Sequence, residues 1–122
     1  MLRTLCTLST LALLAVALPA KADSLTLASR YEASGSNPDG SKYTGTATVT
    51  VISDTTYTIV WKIGDSTYEG FGMRLNDSLA ATYTIDGDPG LIIYKVDGDG
   101  LTGAWAIRGH DGVGTERLRP LN

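Results

Sequence analysis

Along most of the chain apolar and polar residues take turns. Tyr57, Ile59, Trp61 and Ile63 are separated by Thr58, Val60 and Lys62, and the same period of two runs through Leu79, Ala81, Tyr83 and Ile85. It continues through Ile92, Tyr94 and Val96, and then through Leu101, Gly103, Trp105 and Ile107. A period of two places such residues on one face of an extended strand, with Thr56, Thr58, Lys62, Thr82, Thr84, Lys95 and Thr102 on the solvated face. No sustained helical stripe interrupts it. Turn-forming clusters do, among them Asn37-Pro38-Asp39-Gly40, Gly64-Asp65, Asn76-Asp77, Asp86-Gly87, Asp97-Gly98-Asp99-Gly100 and Gly109-His110-Asp111-Gly112. The pattern predicts about eight strands, at residues 26–33, 43–52, 56–63, 67–74, 78–85, 91–96, 101–107 and 115–118.

Short connections make sequence neighbours into sheet neighbours, and an open sheet of this kind leaves two unpaired edges. Pairing the last strand with the first removes both. The expected fold is therefore all-β, a single antiparallel up-and-down meander closed into a barrel. A β-sandwich is the alternative, and it needs longer crossing connections than this chain supplies. Gly45, Gly70, Gly72 and Gly103 fall inside predicted strands, where glycine weakens pairing unless the strand must bend or another group must approach closely.

The N-terminus has a different texture. A basic start, Met1-Leu2-Arg3, leads into an apolar run over residues 4–18, and Ala20-Lys21-Ala22 follows. This is the pattern of a signal peptide over residues 1–22, leaving residues 23–122 as one β-barrel domain. The run is short of the roughly 20 residues that span a bilayer, so no integral membrane segment is expected in the mature chain. The expected location is outside the cytoplasm, periplasmic or secreted. The one cysteine, Cys6, lies in the leader, so neither a disulfide nor thiol chemistry is available to the mature protein. The chain carries 10 Lys and Arg against 13 Asp and Glu, a net charge of −3, and loss of Arg3 and Lys21 makes it more acidic. An acidic domain without a basic run is a poor match for nucleic acid or anionic membranes.

Candidate chemistry is sparse. The single histidine, His110, sits in a Gly-His-Asp-Gly turn with no serine elbow to serve, so a nucleophilic relay is not expected. The carboxylates of Asp86-Gly87-Asp88 and Asp97-Gly98-Asp99 suit calcium in type but not in number, and Asp-Gly is also common hairpin chemistry. No metal and no cofactor is expected. Glu69 and Glu116 would make a glycosidase pair only at a separation that sequence does not set. Glu116 stands two residues from Leu118 and on its side of the strand, where a carboxylate needs a partner. Arg30, Arg74 and Arg108 are candidates for a structural ion pair, and a backbone bond is the alternative. The protein is expected not to be an enzyme.

Tyr31, Tyr43, Tyr57, Trp61, Tyr68, Tyr83, Tyr94 and Trp105 are spread over nearly all the strands. They fill the barrel, with Trp105 the largest filler in its strand, or they line a cavity for a small apolar ligand, for which Trp61, Tyr83, Tyr94 and Trp105 are the candidate contacts. The loop Asn37, Pro38, Asp39 and Gly40 is the candidate surface for a macromolecular partner.

Several motifs belong together: Asn37-Pro38-Asp39-Gly40-Ser41 with Tyr43 and Gly45, Tyr57-x-Ile59-x-Trp61, Tyr68-Glu69-Gly70-x-Gly72, Gly98-Asp99-Gly100-Leu101-x-Gly103-x-Trp105, and Gly114-Thr115-Glu116-x-Leu118-x-Pro120. With them the mature chain resembles small secreted proteins of Gram-negative bacteria often labelled fibronectin-binding protein. More loosely, the Leu-x-Gly-x-Trp strand is similar to avidins and lipocalins at the level of fold. The first resemblance implies a host matrix protein such as fibronectin as partner. The leading expectation is an exported, non-enzymatic barrel that binds a macromolecule through its loops. A carrier of a small apolar ligand and an inhibitor of an envelope or secreted hydrolase are the alternatives.

Overall fold

The structure, a computed structural model, describes residues 26–121. The signal peptide expected over residues 1–22 lies outside the described residues. Eight strands follow one another: β1 (Arg30–Ser36), β2 (Lys42–Val51), β3 (Thr56–Ile63), β4 (Ser66–Leu75), β5 (Ser78–Ile85), β6 (Asp88–Asp97), β7 (Gly100–Ile107) and β8 (Gly114–Pro120). Each pairs antiparallel with its sequence neighbours, and β8 returns to β1 from Tyr31 opposite Pro120 to Ser36 opposite Thr115, closing the barrel. The sandwich alternative is excluded by that last ladder. Tight turns hold the register; at Asp86-Gly87 both residues have positive φ, 50° and 83°, as a type I′ hairpin demands.

The first strand starts later than the alternation suggests. Residues 26–29 do not extend β1; Leu27 and Ala28 turn onto the core, and the Ala28 amide donates to Tyr31 Oη at 2.8 Å. Around them the base of the barrel is solid, with Tyr31, Tyr57, Leu79, Leu101 and Leu118 fully buried. The opposite end is different. Ile63, Tyr68, Ile85, Trp105 and Ile107 only partly leave solvent there. Trp105 is thus not the central filler that its size suggests; it stands at the rim, and Trp61 is the indole that is buried.

Glycines make room for the rings. Gly72 lies opposite Tyr57, Gly90 opposite Tyr83, Gly103 opposite Tyr94 and Gly114 opposite Trp105 in neighbouring strands. A Cβ on Gly103 would stand 2.6 Å from Tyr94 Cδ1 and 2.7 Å from the Ile93 carbonyl oxygen. The ring can lie across the strand only because that position is bare.

The outer wall is not uniformly polar. Phe71, Thr82, Leu91 and Ala106 form one row across β4 to β7, and Met73, Ala80, Ile93 and Ala104 form the next. Phe71, Met73, Leu91 and Ile93 are each about half exposed. The wall around β8 and β1 is charged instead, with Arg119 on Glu32 at 2.8 Å and Arg117 on Asp97 at 2.7 Å.

Candidate functional site

Inward alternation on β8 points Gly114, Glu116 and Leu118 into the barrel. Glu116 is the one charged residue of the described core, 5% exposed. No arginine meets it. Its partners come from three other strands: Tyr43 of β2 reaches Oε1 at 3.1 Å, Trp61 of β3 donates Nε1–H to Oε2 at 3.1 Å, and Tyr94 of β6 donates its hydroxyl to Oε2. The expected ion pair with Arg30, Arg74 or Arg108 is replaced by neutral donors: Arg30 and Arg108 are exposed, and Arg74, opposite Leu79 on the inward side of β4, stands at the packed base of the barrel. Arg74 Nε donates to the Asn76 carbonyl.

The network extends to the rim. Trp105 donates Nε1–H to Tyr43 Oη at 3.0 Å, and that hydroxyl also has the Thr115 carbonyl within reach at 3.2 Å. Burial raises the Glu116 carboxyl above the usual carboxylate range, while its donors Tyr94, Tyr43 and Trp61 act in the opposite direction. Burial and the neighbouring carboxylate push the phenol of Tyr83 up to about 12 and raise those of Tyr43 and Tyr94 as well. No buried side-chain donor or acceptor among the described residues lacks a partner.

Above this network the barrel is hollow. A cavity of about 160 Å³ opens at the mouth, with Tyr43, Trp61, Tyr68, Tyr83 and Trp105 as its aromatic lining and Ile63, Ile85 and Ile92 as aliphatic wall; Glu116 also lines it, and Asn37 sits at its edge. The interior is thus filled at the base and open at the mouth. Trp61 and Tyr83 meet edge to face at 5.5 Å and 66°, and Tyr43 and Trp105 at 6.3 Å and 62°.

Of the candidate ligand contacts, Trp61, Tyr83 and Trp105 lie on the cavity. Tyr94 lies beneath it, fully buried, and touches the site through Glu116. The loop candidates are drawn into the same region. Asn37, Pro38 and Asp39 face His110, Asp111 and Gly112 across a second hollow of about 300 Å³, so this loop forms part of the rim. Gly40 takes positive φ at its tip, and Ser41 bonds to Asp39 Oδ1 from both its amide and its hydroxyl. Sequence reasoning missed Tyr43 and Tyr68 as lining residues and Glu116 as part of a site. Its inward position was readable from Leu118; its partners were not.

The other chemical candidates disperse. Glu69 is exposed on the outer wall, so it cannot face Glu116 across the cavity. His110 contacts Asp88 at 3.3 Å in an exposed pair. The two Asp-Gly-Asp hairpins sit at opposite ends of β6, and no group of three or more metal-ligating side chains occurs among the described residues.

No known protein family matches the chain, and no curated protein matches it in sequence. Among solved structures, a crystal structure of a mutant of the fluorescent protein UnaG is similar to it. The TM-score is 0.54 at 10% identity, over 79% of this chain and 96% of that one. At that identity the likeness is one of fold alone. The motifs behind the fibronectin-binding resemblance fall on turns and on inward aromatic and glycine positions at both ends of the barrel.

Proposed function

We propose that the protein binds one small molecule at the open end of its barrel and performs no chemistry on it. The observation that carries this reading is the cavity itself, open to solvent, lined by aromatic rings and holding one buried polar group. Ligand sites commonly combine an apolar concavity with a few fixed polar contacts. An engineered apolar cavity of about 150 Å³ takes benzene, which sets the scale of what fits here. Among the described residues the side chains bonded to Glu116 are the phenols of Tyr43 and Tyr94 and the indole of Trp61, with no lysine, histidine or cysteine among them.

Native mass spectrometry of the purified protein, with titration of small aromatic compounds followed through the two indole N–H resonances, tests it. Saturable shifts at both Trp61 and Trp105 are expected. Indole resonances that stay fixed across a charge-diverse panel would end the reading.

A second reading, a macromolecular partner, is favoured by the apolar strip on β4 to β7 rather than by the Asn37 to Gly40 loop. A host matrix protein such as fibronectin is the partner that the motif resemblance implies. Export to the periplasm or beyond belongs to both readings and rests on the sequence of residues 1–22.

A further inference from the structure

An uncompensated carboxylate in the wall of an aromatic cavity narrows the chemistry of the ligand. Glu116 is 5% exposed, lines the cavity, and has no lysine, arginine or histidine among its partners. A buried charge is costly unless it is paired, and three neutral donors satisfy its hydrogen bonding without cancelling its charge. A carboxylate offers about four lone-pair positions, and the three donors leave one for a further group. Around it stand two edge-to-face ring pairs, Trp61 with Tyr83 and Tyr43 with Trp105, whose planes are steeply inclined to each other. That is a box of rings rather than a stack, and ring faces attract cations.

We infer that the cavity accepts an organic cation, an amine or ammonium group on a small apolar body, with Glu116 as counter-ion and Trp61, Tyr83 and Trp105 as the aromatic enclosure. The inference rests on the small-molecule reading above and specifies its ligand class. Both features select in the same direction. A carboxylate or phosphate ligand would bring like charge against Glu116 in a medium of low dielectric. A neutral ligand would gain the apolar contact but leave the charge of Glu116 uncompensated. The cavity admits about one ring or a trialkylated nitrogen, and the open mouth lets a longer substituent run out past Asn37. Among the described residues, the titratable groups that interact with Glu116 from the surrounding strands are the phenols of Tyr43, Tyr83 and Tyr94, all neutral well above physiological pH, so none competes for the role of cation.

The test compares three probes of nearly equal shape and different charge: benzylammonium, benzyl alcohol and benzoate. Calorimetry gives the affinities and the indole N–H resonances of Trp61 and Trp105 report the place. Benzylammonium is expected to bind at least about tenfold more tightly than benzyl alcohol, and benzoate not to bind. In Glu116→Gln the advantage of the cation should shrink to within about threefold. Trp105→Leu, at the partly exposed rim, keeps an apolar wall without a ring and should weaken the cation more than the alcohol, which provides a second variant should the first not fold. If benzyl alcohol or benzoate matches the cation while shifting both indoles, the cation inference is overturned and the binding cavity stands. If none of the three moves either indole, both fail.

Discussion

A carboxylate enclosed by neutral donors carries its desolvation into the pH dependence of folding. The Glu116 carboxyl titrates above its unfolded value because burial outweighs the donors from Tyr94, Tyr43 and Trp61. The folded chain therefore holds this proton more tightly than the unfolded one. Its contribution to stability is fully present below the unfolded pKa and is lost as pH rises through the folded pKa. Glu116→Gln removes that loss. The amide oxygen can accept from Trp61 and Tyr94, and the amide nitrogen can donate to Tyr43, whose own proton turns to the Thr115 carbonyl. Thermal melts between about pH 4 and pH 8 should show the wild type falling relative to this variant as pH rises. A constant difference across that range would mean that Glu116 titrates alike in both states. Trp61→Ala, in contrast, removes a buried indole that holds the network together and should cost about 3–5 kcal/mol in denaturant unfolding at neutral pH. A loss well below this would show that the core does not depend on that ring.

At the scale of strands, the aromatic residues and the glycines act as cross-strand pairs. Tyr94 lies over Gly103 of β7 and from there reaches Glu116 of β8, so the bare backbone of one strand sets the position of a donor from another. Gly103→Ala puts a methyl within 2.6 Å of the ring and 2.7 Å of a backbone carbonyl oxygen. Overpacking of this kind costs roughly 1–3 kcal/mol. The expected result is a lower urea midpoint together with a changed near-ultraviolet dichroism as Tyr94 is displaced; an unchanged spectrum would show that the ring does not depend on the glycine. The alternation of β5, β6 and β7 was legible residue by residue, since each turn is short and each inward position apolar. The start of β1 was not, because Leu27 and Ala28 are as apolar as strand residues and only the Tyr31 hydroxyl and the closed base redirect them.

At the scale of the whole molecule the barrel has two unlike ends and two unlike sides. One end is packed and the other open; one side is charged at β8 and β1, the other apolar across β4 to β7. The apolar side is where the second reading places a protein partner. If fibronectin is that partner, immobilised fibronectin should bind the wild type saturably and bind a Phe71→Ser, Ile93→Ser double variant poorly. Absence of saturation with the wild type removes the partner that the motif resemblance implies. Loss only on replacing Asn37 to Gly40 would move the contact to the mouth.

By itself the sequence determined which side chains face inward, because a period of two assigns faces without reference to any other strand. It also pointed to closure, because its turns leave no room for crossing connections. Height along the barrel was decided only in the tertiary structure. Strand tilt and the stagger of eight ladders carry Trp105 to the rim and bring Tyr43, Trp61, Tyr94 and Glu116 to one level, although Tyr43 and Glu116 are far apart in sequence. An inward glutamate could be read from β8 alone, but its partners depend on the registers between all the strands in between. That is why the sequence pointed to an arginine or a backbone group as partner for Glu116, where the fold supplies phenols and an indole beside an open cavity.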